Sequence, residues 1–202
     1  TLSILGASTV GESGAALVTR IQNLLLESDG NVFLTEKDGL TILGLNAGSG
    51  SFHITVENGD LRIGLLQAAG EGRLDVLRGS IFDDNGAAQN MVVSTAVLRT
   101  PAGSIGTAQD GVEITVPAGA FIDVETSNDL EGTHINPSVD ARLRLGARVF
   151  HASVLNTAIR QTREQATNNT LLVDLSGVDW ASLDPTVALL DCLEPCVRLP
   201  AD

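Results

Sequence analysis

Aromatic side chains are scarce in this chain. Only 3% of its 202 residues are aromatic, with one Trp and no Tyr, whereas 43% are hydrophobic. That hydrophobic share excludes a chain that is disordered on composition. The core must therefore be built mainly from Val, Ile, Leu and Ala, which suit narrow, repeated layers better than an irregular core of large side chains.

Positive charge is also scarce. Lys37 is the only Lys, the formal net charge is −13, and the sequence pI is about 4.4. Because a surface this acidic repels polyanions, nucleic acid and anionic membranes are poor partners. The same charge would keep a long fibre soluble and leaves room for divalent cations.

Long apolar runs are absent. The chain contains no stretch of about 18 consecutive apolar residues, so the sequence predicts no membrane-spanning helix. It begins at Thr1 without a signal-type stretch. We therefore expect a mature product or an excised fragment, with any targeting signal outside these residues.

The two cysteines, Cys192 and Cys196, lie close together near the C-terminus. An extended strand would hold them about 13 Å apart, which is too far for a disulfide. A turn at Pro195 would bring them within range, so the pair is a disulfide candidate, and two free thiols are the alternative. The spacing is not that of a zinc site, and no His lies nearby.

A repeat of roughly 20–22 residues is the strongest internal signal. Residues 31–45 align with residues 51–65 when Asp60 is treated as an insertion. Gly39 then meets Gly59, and a looser third copy begins at Arg73. The alignment predicts stacked apolar columns formed by Val32, Leu34, Phe52, Ile54, Leu74 and Val76, with Leu40 above Leu61 and Ile42 above Ile63.

Each repeat alternates between apolar and polar residues with a period of two, which is typical of a half-buried strand. Turn sequences rich in Gly, Asn and Asp follow the strands, and Gly44 and Gly48 are expected at coil corners. Because the same apolar columns return in successive units, the pattern favours an all-β parallel β-helix over a sandwich of hairpins.

We predict coils over residues 1–150 and a distinct element over residues 151–202. Residues 12–28 could form a helix or strands, and we favour strands. Residues 153–166 are predicted to form a short helix, and residues 170–175 a strand. Trp180, Pro185 and Pro195 suit a terminal cap better than further regular coils.

Four segments, residues 30–42, 79–86, 102–107 and 112–116, resemble the repeat region of filamentous-haemagglutinin-type giant secreted bacterial proteins. The resemblance covers residues 15–125 and rests on strings such as Gly79–Gly86 and Val112–Val116. It implies a right-handed β-helix, export, a fibrous shape, and a role in adhesion or a matrix. It implies no catalytic residues.

The sequence shows few candidates for chemistry. The histidines His53, His134 and His151 have no motif around them, and His53 is expected on an outward, solvated face. Three carboxylate pairs occur: Asp83 with Asp84, Asp123 with Glu125, and Asp129 with Glu131. Asp123 and Glu125 would share one strand face about 6.5–7 Å apart, a spacing that glycosidases use, but aromatic platforms for a sugar are few.

We therefore predict a non-catalytic structural segment of a secreted or cell-surface fibre or adhesin, with no cofactor. Calcium held by residues 83–86 or by Asp129 and Glu131 is the remaining alternative, although no EF-hand pattern is present. Expected partners are neighbouring segments, identical subunits, or a host or matrix surface. The first rival function is a polysaccharide lyase or hydrolase on the same fold, and the second is a filament that assembles end to end.

Overall fold

The structure is a computed structural model that describes residues 1–127, 132–138, 140–145 and 148–151. Within these ranges the chain forms sixteen strands and no helix. In chain order the strands are β1 (Leu2–Ala7), β2 (Leu17–Thr19), β3 (Asn23–Ser28), β4 (Val32–Glu36), β5 (Leu40–Asn46), β6 (Phe52–Val56), β7 (Leu61–Gln67), β8 (Glu71–Val76), β9 (Ile81–Asp83), β10 (Met91–Val92), β11 (Thr95–Thr100), β12 (Val112–Thr115), β13 (Phe121–Thr126), β14 (Ile135–Pro137), β15 (Arg142–Leu145) and β16 (Arg148–His151).

The strands stack into two parallel sheets that together form a β-solenoid of about seven turns. Sheet A runs in the order β1-β3-β5-β7-β10-β12-β14, with β9 also paired to β7. Sheet B runs in the order β2-β4-β6-β8-β11-β13-β15-β16, and its last pair, β15 with β16, is antiparallel. The predicted parallel β-helix is thus confirmed.

The core lies between the two sheets, in the predicted columns. Leu34 pairs with Ile54, which pairs with Leu74, and the Leu40–Leu61 and Ile42–Ile63 pairs also match the repeat alignment. Side chains fully buried in this way stabilise a fold by about 1.5–3 kcal/mol each. All six predicted column residues are at most 1% exposed: Val32, Leu34, Phe52, Ile54, Leu74 and Val76.

The large ring of Phe52 is accommodated because the residue in register with it in the next coil is a glycine. Phe52 pairs in register with Gly72, and a Cβ at Gly72 would lie 2.6 Å from Cζ of Phe52. The ring thus fills the volume that a side chain would take one coil further along. An aliphatic residue at Gly72 would overpack this layer.

The corners between the sheets are formed by stacked glycines and short polar side chains. A Cβ at Gly79 would lie 2.1 Å from the carbonyl oxygen of Gly59, so only glycine fits there. Beside this column, the Ser80 amide donates to Oδ1 of Asp60 at 3.0 Å, and the Ser104 amide donates to Oγ of Ser80 at 3.1 Å. These contacts satisfy backbone donors where the sheet hydrogen bonds end.

The prediction that Gly44 lies at a corner is wrong. Gly48 does occupy a corner, with φ of +50°, but Gly44 lies within β5. The register shifts there, so that Leu24 faces Ile42 while Leu25 faces Gly44. The extra residue forms a bulge that turns both Leu43 and Gly44 toward the outside.

The interpretation of residues 12–28 as strands is confirmed by β2 and β3. The predicted helix over residues 153–166, the strand over residues 170–175, Trp180, and the Cys192–Cys196 pair lie outside the described residues. In the part of the chain that the structure describes, no helix is long and apolar enough to cross a membrane.

Candidate functional site

The outer face of sheet B carries a group of polar side chains that lie close together. Its strands alternate, so that every second residue points away from the core. Phe33, His53 and Arg73 form one outward column in register. Thr35, Thr55 and Asp75 form the next column, so coils 2–4 present a compact polar patch.

Asp75 is the centre of this patch. Its Oδ2 lies 2.6 Å from Nε2 of His53 and accepts a hydrogen bond from Nε of Arg73 at 2.8 Å. Burial by itself would raise the pKa of Asp75. The hydrogen bonds from His53 and Arg73, together with their charges, outweigh burial and lower the pKa below its ordinary value of 3.8. Asp75 is therefore a buried anion that anchors two outward side chains.

A groove runs beside this patch. The chain leaves the line of sheet B after Val10, forms a tight hairpin closed by Glu12 and Ala15, and returns at β2. The hairpin and the faces of β4 and β6 enclose about 530 Å³, and the groove is lined by Phe33, Thr35, Lys37, His53, Thr55 and Glu57 among others. Lys37 and Glu57 form an ion pair in this lining. The groove is large enough for a small ligand.

His53 differs from the expectation of a solvated side chain. It is half-buried, pairs with Asp75, and packs edge-to-face on Phe33 with 6.5 Å between ring centroids. Thr55 Oγ1 approaches the same Nε2 at 3.5 Å. In a catalytic triad the carboxylate and the nucleophile bond different ring nitrogens. Here Asp75 and Thr55 both approach Nε2 of His53, so these contacts position the His53 ring.

The three histidines are not brought together. His53 lies in β6 of sheet B, His134 directly precedes β14 of sheet A, and His151 lies in β16. The Arg73–Asp75 pair was overlooked in the sequence, although the repeat alignment places both residues directly after His53 and Thr55 in the stack. That alignment was the signal that could have identified them.

Asp123 and Glu125 share the outer face of β13, as predicted, but each faces an arginine of a neighbouring coil. Arg144 Nη1 lies 3.1 Å from Oδ1 of Asp123, and Arg99 Nε lies 3.7 Å from Oε2 of Glu125. The carboxylates thus form ion pairs along the stack, as expected for a charged outer face. Asp129 and Glu131 lie outside the described residues.

Asp83 belongs to a second polar cluster, on the sheet A side. Its Oδ1 accepts hydrogen bonds from the Asn85 amide at 2.8 Å and from Nδ2 of the fully buried Asn90 at 2.6 Å. Desolvation and the nearby Asp83 carboxylate raise the pKa of Asp110. The pKa of Glu113 is also raised, by desolvation and by the same carboxylate. A hydrogen bond from Asn136 partly opposes this rise in pKa.

Residues of this cluster include the predicted calcium candidate at residues 83–86. Among the described residues, no three His, Cys, Asp or Glu side chains are grouped closely enough to hold a metal ion. Asp83 instead anchors the loop that follows β9. Asn90, which hydrogen-bonds the Ile63 carbonyl at 3.0 Å and accepts from the Glu113 amide at 2.8 Å, fills a buried position in sheet A between β7 and β12.

Comparisons with known proteins return no match. No protein-family model, no curated protein and no solved structure matches this chain.

Proposed function

We propose that this chain is a non-catalytic structural segment of a secreted surface fibre or adhesin, acting as a stalk, spacer or filament subunit. The observation that carries the proposal is the continuous stack of about seven coils with apolar columns running through its interior. Each coil contacts mainly its neighbours and lengthens the stack by about 4.8 Å. Such a unit spans distance simply by repetition.

The sequence resemblance to filamentous-haemagglutinin-type proteins supports the same role. It adds a secreted or cell-surface location in a bacterium, with neighbouring segments, identical subunits, or a host or matrix surface as partners. The proposal requires no cofactor. The outer face of sheet B is consistent with this role, because Arg73 with Asp75, Arg99 with Glu125 and Arg144 with Asp123 form ion pairs there.

The first coil is the part of the described chain that bears on the filament form of this proposal. Strands β1 and β2 contain no charged residue, although edge strands are commonly protected by charge. Leu2 and Ile4 are only partly buried, whereas their register partners Leu24 and Leu26 in the next coil are at most 2% exposed. The apolar columns of the first coil are therefore suited to contact with a further β-coil.

Electron microscopy of the native material tests the proposal. We expect rods or fibres whose width matches one solenoid. Compact particles without rod-shaped segments would contradict the structural role. Rods with free ends would indicate a stalk, and rods joined end to end would indicate a filament subunit.

The rival function is a polysaccharide-active enzyme, and the groove beside His53 is the observation that favours it. We expect no turnover of polysaccharides by the wild type. We also expect no loss of fold when Asp123→Asn and Glu125→Gln are combined, because exposed ion pairs contribute only about 0–1 kcal/mol. Reproducible sugar release that this double substitution, or His53→Ala, abolishes would refute the structural interpretation.

A further inference from the structure

The outer face of sheet A carries a stripe of exposed leucines that the fold does not use. Leu5, Leu25, Leu43 and Leu65 lie on β1, β3, β5 and β7, which are consecutive strands of this sheet. Their exposed fractions are 64%, 40%, 52% and 37%. Single exposed leucines are ordinary on protein surfaces, but a contiguous row is typical of an interaction site.

Local geometry places three of these leucines side by side, whereas Leu5 lies two residues beyond Ser3, the register partner of Leu25. Leu25, Gly44 and Leu65 are in register, and Leu43 points outward beside Gly44 because of the bulge in β5. A Cβ at Gly44 would lie 3.2 Å from Cδ1 of Leu25, so the Leu25 side chain extends over the glycine toward the next leucine. We call this surface, formed by Leu5, Leu25, Leu43 and Leu65, the leucine face.

The charge of this surface differs from that of the chain. The four strands that carry the leucine face contain only two charged residues, Glu27 and Arg62, so their net charge is zero while that of the chain is −13. Two copies would repel each other through most of their surfaces. They can approach without that penalty through the leucine face.

We propose that the leucine face packs against the leucine face of a second copy of this chain. Glu113 on β12 and Asp110 just before it place negative charge on or next to the same sheet two coils beyond β7. Copies stacked in the same direction would bring these carboxylates together. The two solenoids therefore lie antiparallel. Leu25 of each copy then lies opposite Leu65 of the other, and the two Leu43 side chains lie near each other.

The contact between two leucine faces is small. Four coils at about 4.8 Å, with strands about 20 Å long, cover roughly 400 Å² per copy, below the roughly 800 Å² of a standard stable interface. The association of two copies is therefore expected to be weak. In a fibre the same contact would repeat along neighbouring chains and gain strength by multivalency.

Sedimentation velocity of the full 202-residue chain tests this proposal, at concentrations from roughly 10 to 300 µM. The wild type is expected to show a monomer–dimer equilibrium. Leu43→Glu should weaken dimerisation at least about tenfold, because it buries a carboxylate in the contact. Leu65→Glu is a second, independent variant. The matched control is Leu77→Glu, since Leu77 is 47% exposed but lies outside the leucine face.

Three outcomes would overturn the proposal. The wild type could remain monomeric throughout the range, or Leu43→Glu and Leu77→Glu could weaken association equally, which would indicate non-specific contact. Alternatively, Val18→Lys, which places a lysine on the open edge of sheet B, could abolish the dimer while Leu43→Glu leaves it intact, which would indicate end-to-end pairing. Circular dichroism verifies that each variant is folded. The proposal goes beyond the structural role, because monomeric rods in the microscope would still satisfy that role.

Discussion

Glu36 offers the sharpest test of how the first two coils are held together. Its position in β4 faces the core, in register with Val56, and its side chain is 0% exposed. The carboxylate accepts hydrogen bonds from Oγ1 of Thr19 at 2.7 Å and from the amides of Ile21 at 3.1 Å and Lys37 at 3.0 Å. A buried carboxyl group is therefore surrounded by donors from two consecutive coils.

We expect Glu36→Ala to destabilise coils 1 and 2 by about 2–6 kcal/mol. The Lys37 amide also donates to the Thr19 carbonyl, so it keeps a partner. The Thr19 hydroxyl and the Ile21 amide lose theirs, at about 1–3 kcal/mol for each buried donor left unsatisfied. Glu36→Gln keeps the shape but turns one acceptor into a donor, so we expect a smaller loss of about 1–3 kcal/mol.

Urea unfolding measures the free energy change, and hydrogen exchange locates it. Because solenoid coils can open independently, exchange should accelerate in residues 17–40 and stay unchanged in residues 91–126. Glu57→Gln is the control, since Glu57 is a partly exposed glutamate in an ion pair and its loss should cost less than about 1 kcal/mol. Glu36→Val would extend the Val56 column. If that variant is as stable as the wild type, apolar packing outweighs the hydrogen bonds and the reasoning is refuted.

Three further predictions follow from the corners and the two polar clusters. Gly79→Ala should destabilise the fold by several times more than Gly14→Ala in thermal melts. A Cβ at residue 79 would clash with Gly59, whereas a Cβ at residue 14 would have nothing within 4 Å. Equal melting temperatures of the two variants would contradict the close glycine stacking at this corner. Asp75→Asn should lower stability at pH 7 by about 1.5–3 kcal/mol. Because the folded pKa of Asp75 is lowered, this difference should persist down to about pH 5 and disappear as the pH falls below the ordinary value of 3.8, and a pH-independent difference would refute it. Asp110→Asn should raise the melting temperature at pH 7, because a raised folded pKa means that the charge of Asp110 is unfavourable in the folded state. The gain should vanish near pH 3, where the carboxyl group is protonated. Calorimetry that shows destabilisation at pH 7 would contradict the repulsion from Asp83.

Much of the fold could be predicted from local patterns in the sequence. The period-two alternation in residues 32–36 and 52–56 fixes which side chains face inward, and the return of the same pattern about 20 residues later aligns Leu34 with Ile54 and Leu74. A stacked coil pairs each strand with its counterpart one repeat away. The repeat length therefore already specifies the tertiary contacts.

The sequence alone determined that the chain is a stack of β-coils with an aliphatic core and an acidic surface, because these follow from composition and periodicity. Only the tertiary structure decided the rest. It placed Asp75 between His53 and Arg73, set Glu36 among donors from the preceding coil, and bulged β5 so that Leu43 joins an exposed row. The first two depend on distances between groups one coil apart, and the third depends on a register shift of a single residue. A pattern along one strand records neither.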